Sequence, residues 1–139
     1  MASGRLASIL ILIAACAVQP AGSAALTDRD WRLVELRGST AVSSDRHPYI
    51  RFNSSESRME GYGGCNTFSG TYLVSDNSLR IPGPVIMTKR ACVQGELNAQ
   101  EREFVGIFPS LDRYTIEGRV LTLLSGNAPL ARLEAASER

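Results

Sequence analysis

A single change of hydrophobic period constrains this chain more than any other feature. From Trp31 onward, apolar residues come in short β-rich runs cut by turn residues. Only between Leu97 and Leu111 do they recur at helical spacing. There Leu97, Phe104, Val105, Phe108 and Leu111 form a stripe, with Gln100, Glu101, Arg102 and Glu103 on the polar side. Asn98, followed three residues later by Glu101, has the form of a capping box and starts the helix at about Ala99. Pro109 ends it near Phe108.

The remainder reads as strands and turns. Trp31 to Leu36 mixes alternating and continuous apolar positions, as a well-covered strand does. Tyr49–Phe52, Thr71–Val74, "SLRI" and "VIMT" follow as short extended runs, with Pro82-Gly83-Pro84 breaking any ladder between the last two. "STAVSSDRHP" reads as a polar loop, and Asn53-Ser54-Ser55 as a turn, although it also fits a glycosylation sequon. After the helix, "RYTI", "VLTLL" and "LARLE" are joined by corners at Glu117-Gly118 and Ser125 to Ala128, a closing meander of hairpins. The expectation is an α+β fold: an antiparallel sheet of roughly eight short strands curled around a single amphipathic helix of about ten residues.

The 139 residues suit one domain, and 44% hydrophobic with 21% charged residues is a globular balance. Residues 1–15 carry Arg5 and then an apolar run, Leu6 to Ala15, that is too short to span a bilayer and fits a signal-peptide core. Two cleavages compete. Ile13-Ala14-Ala15-Cys16 has the form of a lipobox, which makes Cys16 the lipidated N-terminus and residues 16–28 a tether. Ordinary cleavage near Ser23-Ala24-Ala25 instead removes residues 1–25. Either route gives a folded domain over 29–135, a frayed 136–139, and a place in the cell envelope. The expected location is the outer membrane facing the periplasm, the alternative a soluble periplasmic or secreted form. With Arg5 removed, basic and acidic residues are equal in number, which argues against nucleic acid as a partner. Lys89, the single lysine, and Arg90 read as solvated charges.

Both cleavages leave two cysteines, Cys65 and Cys92. An even pair in an exported domain most simply forms one disulfide. Cys65 sits in "GYGGCNTFSG", Gly61 to Gly70, for which three readings compete. A phosphate loop needs a Lys-Ser/Thr ending and a following helix, and this stretch has neither. A thiolate nucleophile draws on Cys65, Asn66 and His47, but the lone His47 lies in a polar loop and the disulfide consumes the thiol. One histidine and a disulfide leave no metal cluster. A strand-to-strand corner accounts for every letter: Gly63 and Gly64 take positive φ or admit a close neighbour, Asn66 folds onto nearby backbone, and Gly70 opens the next strand.

"GYGGCNTFSGTY", "MTKRAC", the acidic helix with Phe104, and "YTIEGRVLTLL" together resemble the META domain, a family that includes heat-inducible HslJ lipoproteins of bacterial envelopes. The resemblance runs from about Trp31 to Glu134. Gly64, Cys65, Asn66 and Gly70 match its most specific motif, and Thr88 and Cys92 its second, with Arg90 and Val93 departing from the usual residues. It implies a sheet curled around one helix, no enzymatic activity, no cofactor, and an association with envelope stress, heat induction and antibiotic tolerance. Ala17 after Cys16 implies outer-membrane sorting. Three other functions stay open: a carrier of an apolar ligand or lipid in a cleft between sheet and helix, a partner-binding module using a sheet edge, and a hydrolase or thiol enzyme that needs a free Cys65. For the carrier, the competing expectation is that Trp31, Phe52, Tyr62, Phe68, Phe104 and Phe108 fill the core.

Overall fold

A computed structural model describes residues 25–137. Its strands are β1 (Asp30–Leu36), β2 (Ser39–Thr40), β3 (Tyr49–Asn53), β4 (Arg58–Tyr62), β5 (Thr67–Thr71), β6 (Leu73–Ser75), β7 (Ser78–Arg80), β8 (Ile86–Met87), β9 (Arg113–Glu117), β10 (Val120–Ser125) and β11 (Ala128–Ala135). Helix α1 spans Gly95–Gly106, and a 3-10 turn covers Phe108–Ser110. All strands join one antiparallel sheet, ordered β6-β7-β9-β10-β11-β1-β3-β4-β5-β8 with β2 against β1. The fold is therefore α+β, a curled antiparallel sheet with a single helix.

The two formal ends of that path belong to one hairpin. β5 pairs with β8 and β6 with β7, while β5 runs into β6 through Tyr72 and β7 runs toward β8 through Pro82–Pro84. Each long strand is thus interrupted once, on the second side by prolines that cannot donate to a ladder. The described residues thus hold eleven strands against the roughly eight expected, the surplus being β2, β4 and the division of one expected run at Tyr72. Because β4 holds one side of the hairpin and β9 the other, the sheet curls back on itself.

Side-chain alternation then decides the interior. Trp31 and Leu33 of β1, Ile50 and Phe52 of β3, Met59, Phe68, Leu121, Leu123 and Leu133 all point inward and are buried. Each such side chain contributes about 1.5–3 kcal/mol on leaving water. The mixed pattern of Trp31–Leu36 has a local cause. A bulge between Leu33 and Glu35 inserts an extra residue opposite β11, so Leu36 returns to the inner face out of strict alternation. Both closing hairpins turn on two residues with glycine first, Gly118 at φ +60° and Gly126 at φ +57°.

The helix differs from expectation at both ends. It starts four residues before Ala99, with Gln94 as N-cap and no side-chain cap, so Asn98 and Glu101 form no capping box. It stops at Gly106, and Phe108 lies in the 3-10 turn that Pro109 opens. The domain also begins earlier than residue 29: Leu26 is buried, and its carbonyl accepts the indole N–H of Trp31 at 2.8 Å. At the other end, Ala136 N–H donates to Asp30 O at 2.9 Å. Cys16 and the lipobox cleavage lie outside the described residues.

Candidate functional site

Between β4 and β5 the chain must reverse within four residues, Gly63 to Asn66. Gly64 sits at φ +128°, a conformation side-chain-bearing residues rarely adopt. Gly63 N–H donates to Asn66 O at 2.9 Å and closes the turn. Cys65 is joined to Cys92 with Cα atoms 5.6 Å apart, tying the turn to the segment before α1. The Cys65 sulfur is bonded to that of Cys92, and His47 lines a separate cleft.

Asn66 is the hub. Its side-chain oxygen accepts from Arg90 N–H at 2.6 Å and from the Thr88 hydroxyl at 3.0 Å, while its amide nitrogen donates to Arg90 O at 3.3 Å. Thr88 Oγ1 accepts from Thr67 N–H at 3.2 Å, and Thr88 N–H donates to Thr67 O at 3.1 Å. The two motif segments, around Asn66 and Thr88, therefore meet. Gly70 lies under Met59, whose Cε would stand 3.1 Å from an added Cβ.

Glu101 completes the corner from the helix. It is 3% exposed, and both of its side-chain oxygens are used. Oε2 accepts from Cys65 N–H at 2.9 Å and Asn66 N–H at 2.6 Å; Oε1 accepts from Asn66 Nδ2 at 2.6 Å. A Cβ on Gly63 would lie 2.5 Å from Glu101 Cγ, so this glycine is required by a side chain entering the turn rather than by its own φ. The preceding residue acts alike. Gln100 Oε1 accepts from Val42 N–H at 2.7 Å, and Gln100 Nε2 donates to Val42 O at 2.8 Å. The assignment of Gln100 and Glu101 to the solvated side of the helix is thus corrected: both are buried and clasp the backbones of two loops. One sequence signal foretells it. Positions three, four and seven after Leu97 share a helix face, so a stripe through Leu97 and Phe104 passes over Gln100 and Glu101.

Space between sheet and helix is taken by rings. Phe68, Phe104 and Phe108 stand 5.4–5.7 Å apart, centroid to centroid, in edge and tilted contacts. Trp31 and Phe52 are buried with them, whereas Tyr62 is half-buried on the outer face. There Arg46 lies over the Tyr62 ring at 4.3 Å and the Tyr49 ring at 5.4 Å, and donates to the Tyr49 hydroxyl at 3.2 Å.

Two surface clefts border this outer face. One, of about 380 Å³, runs over β4, β5 and β8 between Arg58, Glu60 and Ile86. The other, of about 560 Å³, lies over β1 and β3 and is edged by arginines and aspartates. At its rim the Ser54 hydroxyl and N–H donate to Asp28 at 2.6 and 3.0 Å, and these bonds, chiefly the hydroxyl, hold the Asp28 carboxyl below its ordinary pKa. Burial raises the pKa of the Tyr72 hydroxyl, with the charge of Asp28 adding to it. Among the described residues no group of three or more acidic, histidine or cysteine side chains is placed to hold a metal ion, and no helix is long and apolar enough to cross a membrane.

Similar solved structures share this architecture. An NMR structure from Burkholderia xenovorans superposes with a TM-score of 0.66 at 19% identity, covering 94% of this chain and all of the other. A second NMR structure gives 0.62 at 23% identity over 78% of this chain and 91% of its own. A DUF4847 family protein from Bacteroides vulgatus gives 0.53 at 15% identity over 82% and 96%. At these identities the likeness is one of fold. No curated protein matches the chain. The META domain family matches residues 24–137, which takes in the glycine corner, the Thr88 segment, the helix and the closing meander alike. The chain belongs to the META domain family.

Proposed function

We propose that this META-domain protein is a non-catalytic envelope lipoprotein, exported and anchored through acyl chains on Cys16, that supports the envelope under stress or antibiotic exposure. The observation that carries the reading is the Cys65–Cys92 disulfide at the heart of the corner, because such bonds form and persist in oxidising compartments. The apolar run ahead of Cys16 supports export, and the hydrogen-bonded, disulfide-tied corner supports a structural rather than a catalytic use of the motif residues. Intact-mass analysis of the membrane-fraction protein tests the anchor. The expected mature chain starts at Cys16 and carries lipid mass, and Cys16→Ser releases the domain from the membrane. An unlipidated chain starting near Ala25 would refute anchoring.

A second reading, a partner-binding module, has its own support. Edge strand β6 exposes Leu73 and Val74, and edge strand β8 exposes Ile86. Strands left unpaired along one edge, with apolar side chains, can take up an added strand. Cross-linking in the native envelope from positions 73 and 86 is expected to trap a recurrent partner, and its failure to do so counts against the module.

A further inference from the structure

The chain enters the sheet beside the turn that joins β3 to β4. Leu26 is buried, Asp28 N–H donates to Phe52 O at 2.8 Å, and the Asp28 carboxylate is held by Ser54. The step from β5 into β6 lies against the same turn. Tyr72 N–H donates to Ser57 O at 3.0 Å, the Tyr72 hydroxyl donates to Asn53 O at 3.2 Å, and its ring meets Phe52 edge-on at 5.1 Å. The point of entry and the start of β6 therefore share one end of the molecule. The glycine corner, with Arg90 bonded to Asn66 and Cys92 to Cys65, lies at the other end of β5.

From Tyr72 the β6–β7 hairpin runs on past β4, whose pairing with β5 ends at Arg58 and Thr71. All three residues of β6 are exposed, Leu73 at 57% and Val74 at 44%. Neighbours on a strand point to opposite faces, so the hairpin offers apolar surface on both. Arg80, opposite Leu73, and Asp76, at the turn, cancel in charge. Such a tip suits an apolar phase rather than a charged partner. Where the chain comes from says which phase. On the anchored reading of Cys16, which this inference needs, the lipid stands ten residues before Leu26. Fully extended, that length reaches at most about 35 Å, roughly one diameter of a domain this size. The end beside β6 meets the bilayer with chain to spare, whereas the corner end meets it only near full extension.

We infer that the β6–β7 hairpin docks on the bilayer that carries the Cys16 acyl chains, with Leu73 and Val74 entering the boundary between headgroups and acyl chains. Two aliphatic side chains make a weak contact alone. The anchor makes that contact intramolecular, so a weak one is populated. Docked this way, the domain turns the glycine corner and the exposed Val93 away from the membrane.

The test uses the mature chain, residues 16–139, coupled through Cys16 to a maleimide lipid in phosphatidylcholine nanodiscs. With Cys65 and Cys92 joined, Cys16 is the one free thiol. Supplying the lipid chemically separates the docking from the anchor. A chain that carries no lipid in cells refutes the anchored reading through its mass, whereas the nanodisc reads the hairpin alone. Nitroxide on the lipid headgroups broadens the NMR signals of amides that come near it. Strong broadening from Leu73 to Asn77 is expected, with Lys89 to Val93 little affected. Leu73→Ser with Val74→Ser should abolish the excess at Asp76 and Asn77 and spare that at Ala25 to Asp28, which the linkage to lipid keeps near the surface in any case. Both side chains are exposed, so the fold should survive; if the double variant fails to fold, Leu73→Ser alone carries the comparison. Ile86→Ser, at an exposed apolar position on β8, should change nothing. Broadening that is even over the domain, that centres on Val93, or that the serine variants leave at the tip overturns the docking. Shifts at Leu73 and Val74 that grow with protein concentration in the absence of lipid mark a second copy as the occupant and overturn it too.

Discussion

Glu101 shows how much a single side chain can organise here. Its two oxygens meet three N–H donors and no donor of its own is wanted, so an acceptor-only group suits the pocket. Glu101→Gln forces an NH₂ against one of those donors and leaves a buried bond unmade. A loss of about 1–3 kcal/mol in denaturant unfolding is expected. Gly63→Ala should cost at least as much, because its Cβ would stand 2.5 Å from Glu101 Cγ inside a packed turn. If Gly63→Ala is neutral while Glu101→Gln is not, the entry of Glu101 into the turn is not what demands glycine. Asp28 gives a pH dependence of known sign. Its carboxyl pKa is lowered in the folded state, so its contribution is present above the unfolded value and is lost as pH falls through the folded one. A carbon-detected titration should find the Asp28 midpoint below that of an ordinary aspartate, and Ser54→Ala should return it upward.

At the scale of the element, the helix is held by what its polar residues grip as well as by its apolar stripe. Gln100 fastens Val42, Glu101 fastens Cys65 and Asn66, and an exposed Arg37–Glu103 pair at 3.5 Å adds little. Gln100→Leu fills similar volume but leaves the Val42 N–H and C=O without these partners. Hydrogen exchange should then accelerate at Val42 and along Ser39–Thr40, with the rest of the sheet unchanged. Equal protection in variant and parent would mean that water replaces the clasp. The helix was legible as an element because Leu97, Phe104 and Phe108 repeat at its period. Its start was not. The Asn98–Glu101 pair imitates a cap, and only tertiary contact reveals that Glu101 is spent on another segment. β4 was equally hard to see, since Gly61 and Tyr62 read as part of the glycine run. An added Cβ on Gly61 would in fact lie 2.5 Å from the Phe68 ring, so this glycine serves strand packing.

For the whole molecule, the disulfide joins residues 27 apart in a domain with one helix and a curled sheet. Opening it by Cys65→Ser with Cys92→Ser should cost roughly 3 kcal/mol in the chain-entropy account, read as a lower unfolding midpoint at unchanged slope. A midpoint that does not move would show that the Asn66–Glu101 bonds alone hold the corner. Reduction should act mainly on the corner and the start of α1, because β1, β10 and β11 are tied by ladders and core packing away from the β4–β5 corner in the sheet order.

The sequence alone determined the class of the fold, the hairpin corners at Gly118 and Gly126, the apolar interior and the pairing of its two inner cysteines. All of these follow from local periodicity, turn chemistry and parity, which need no partner in space. Tertiary structure decided the rest: that two interrupted strands form one hairpin, that Gln100 and Glu101 turn inward, that Tyr62 faces out beneath Arg46, and that the Arg29 Nε finds no acceptor among the described residues. These depend on which distant backbone groups need a hydrogen-bond partner after the chain has closed, and a sequence lists its donors and acceptors without saying which of them will meet.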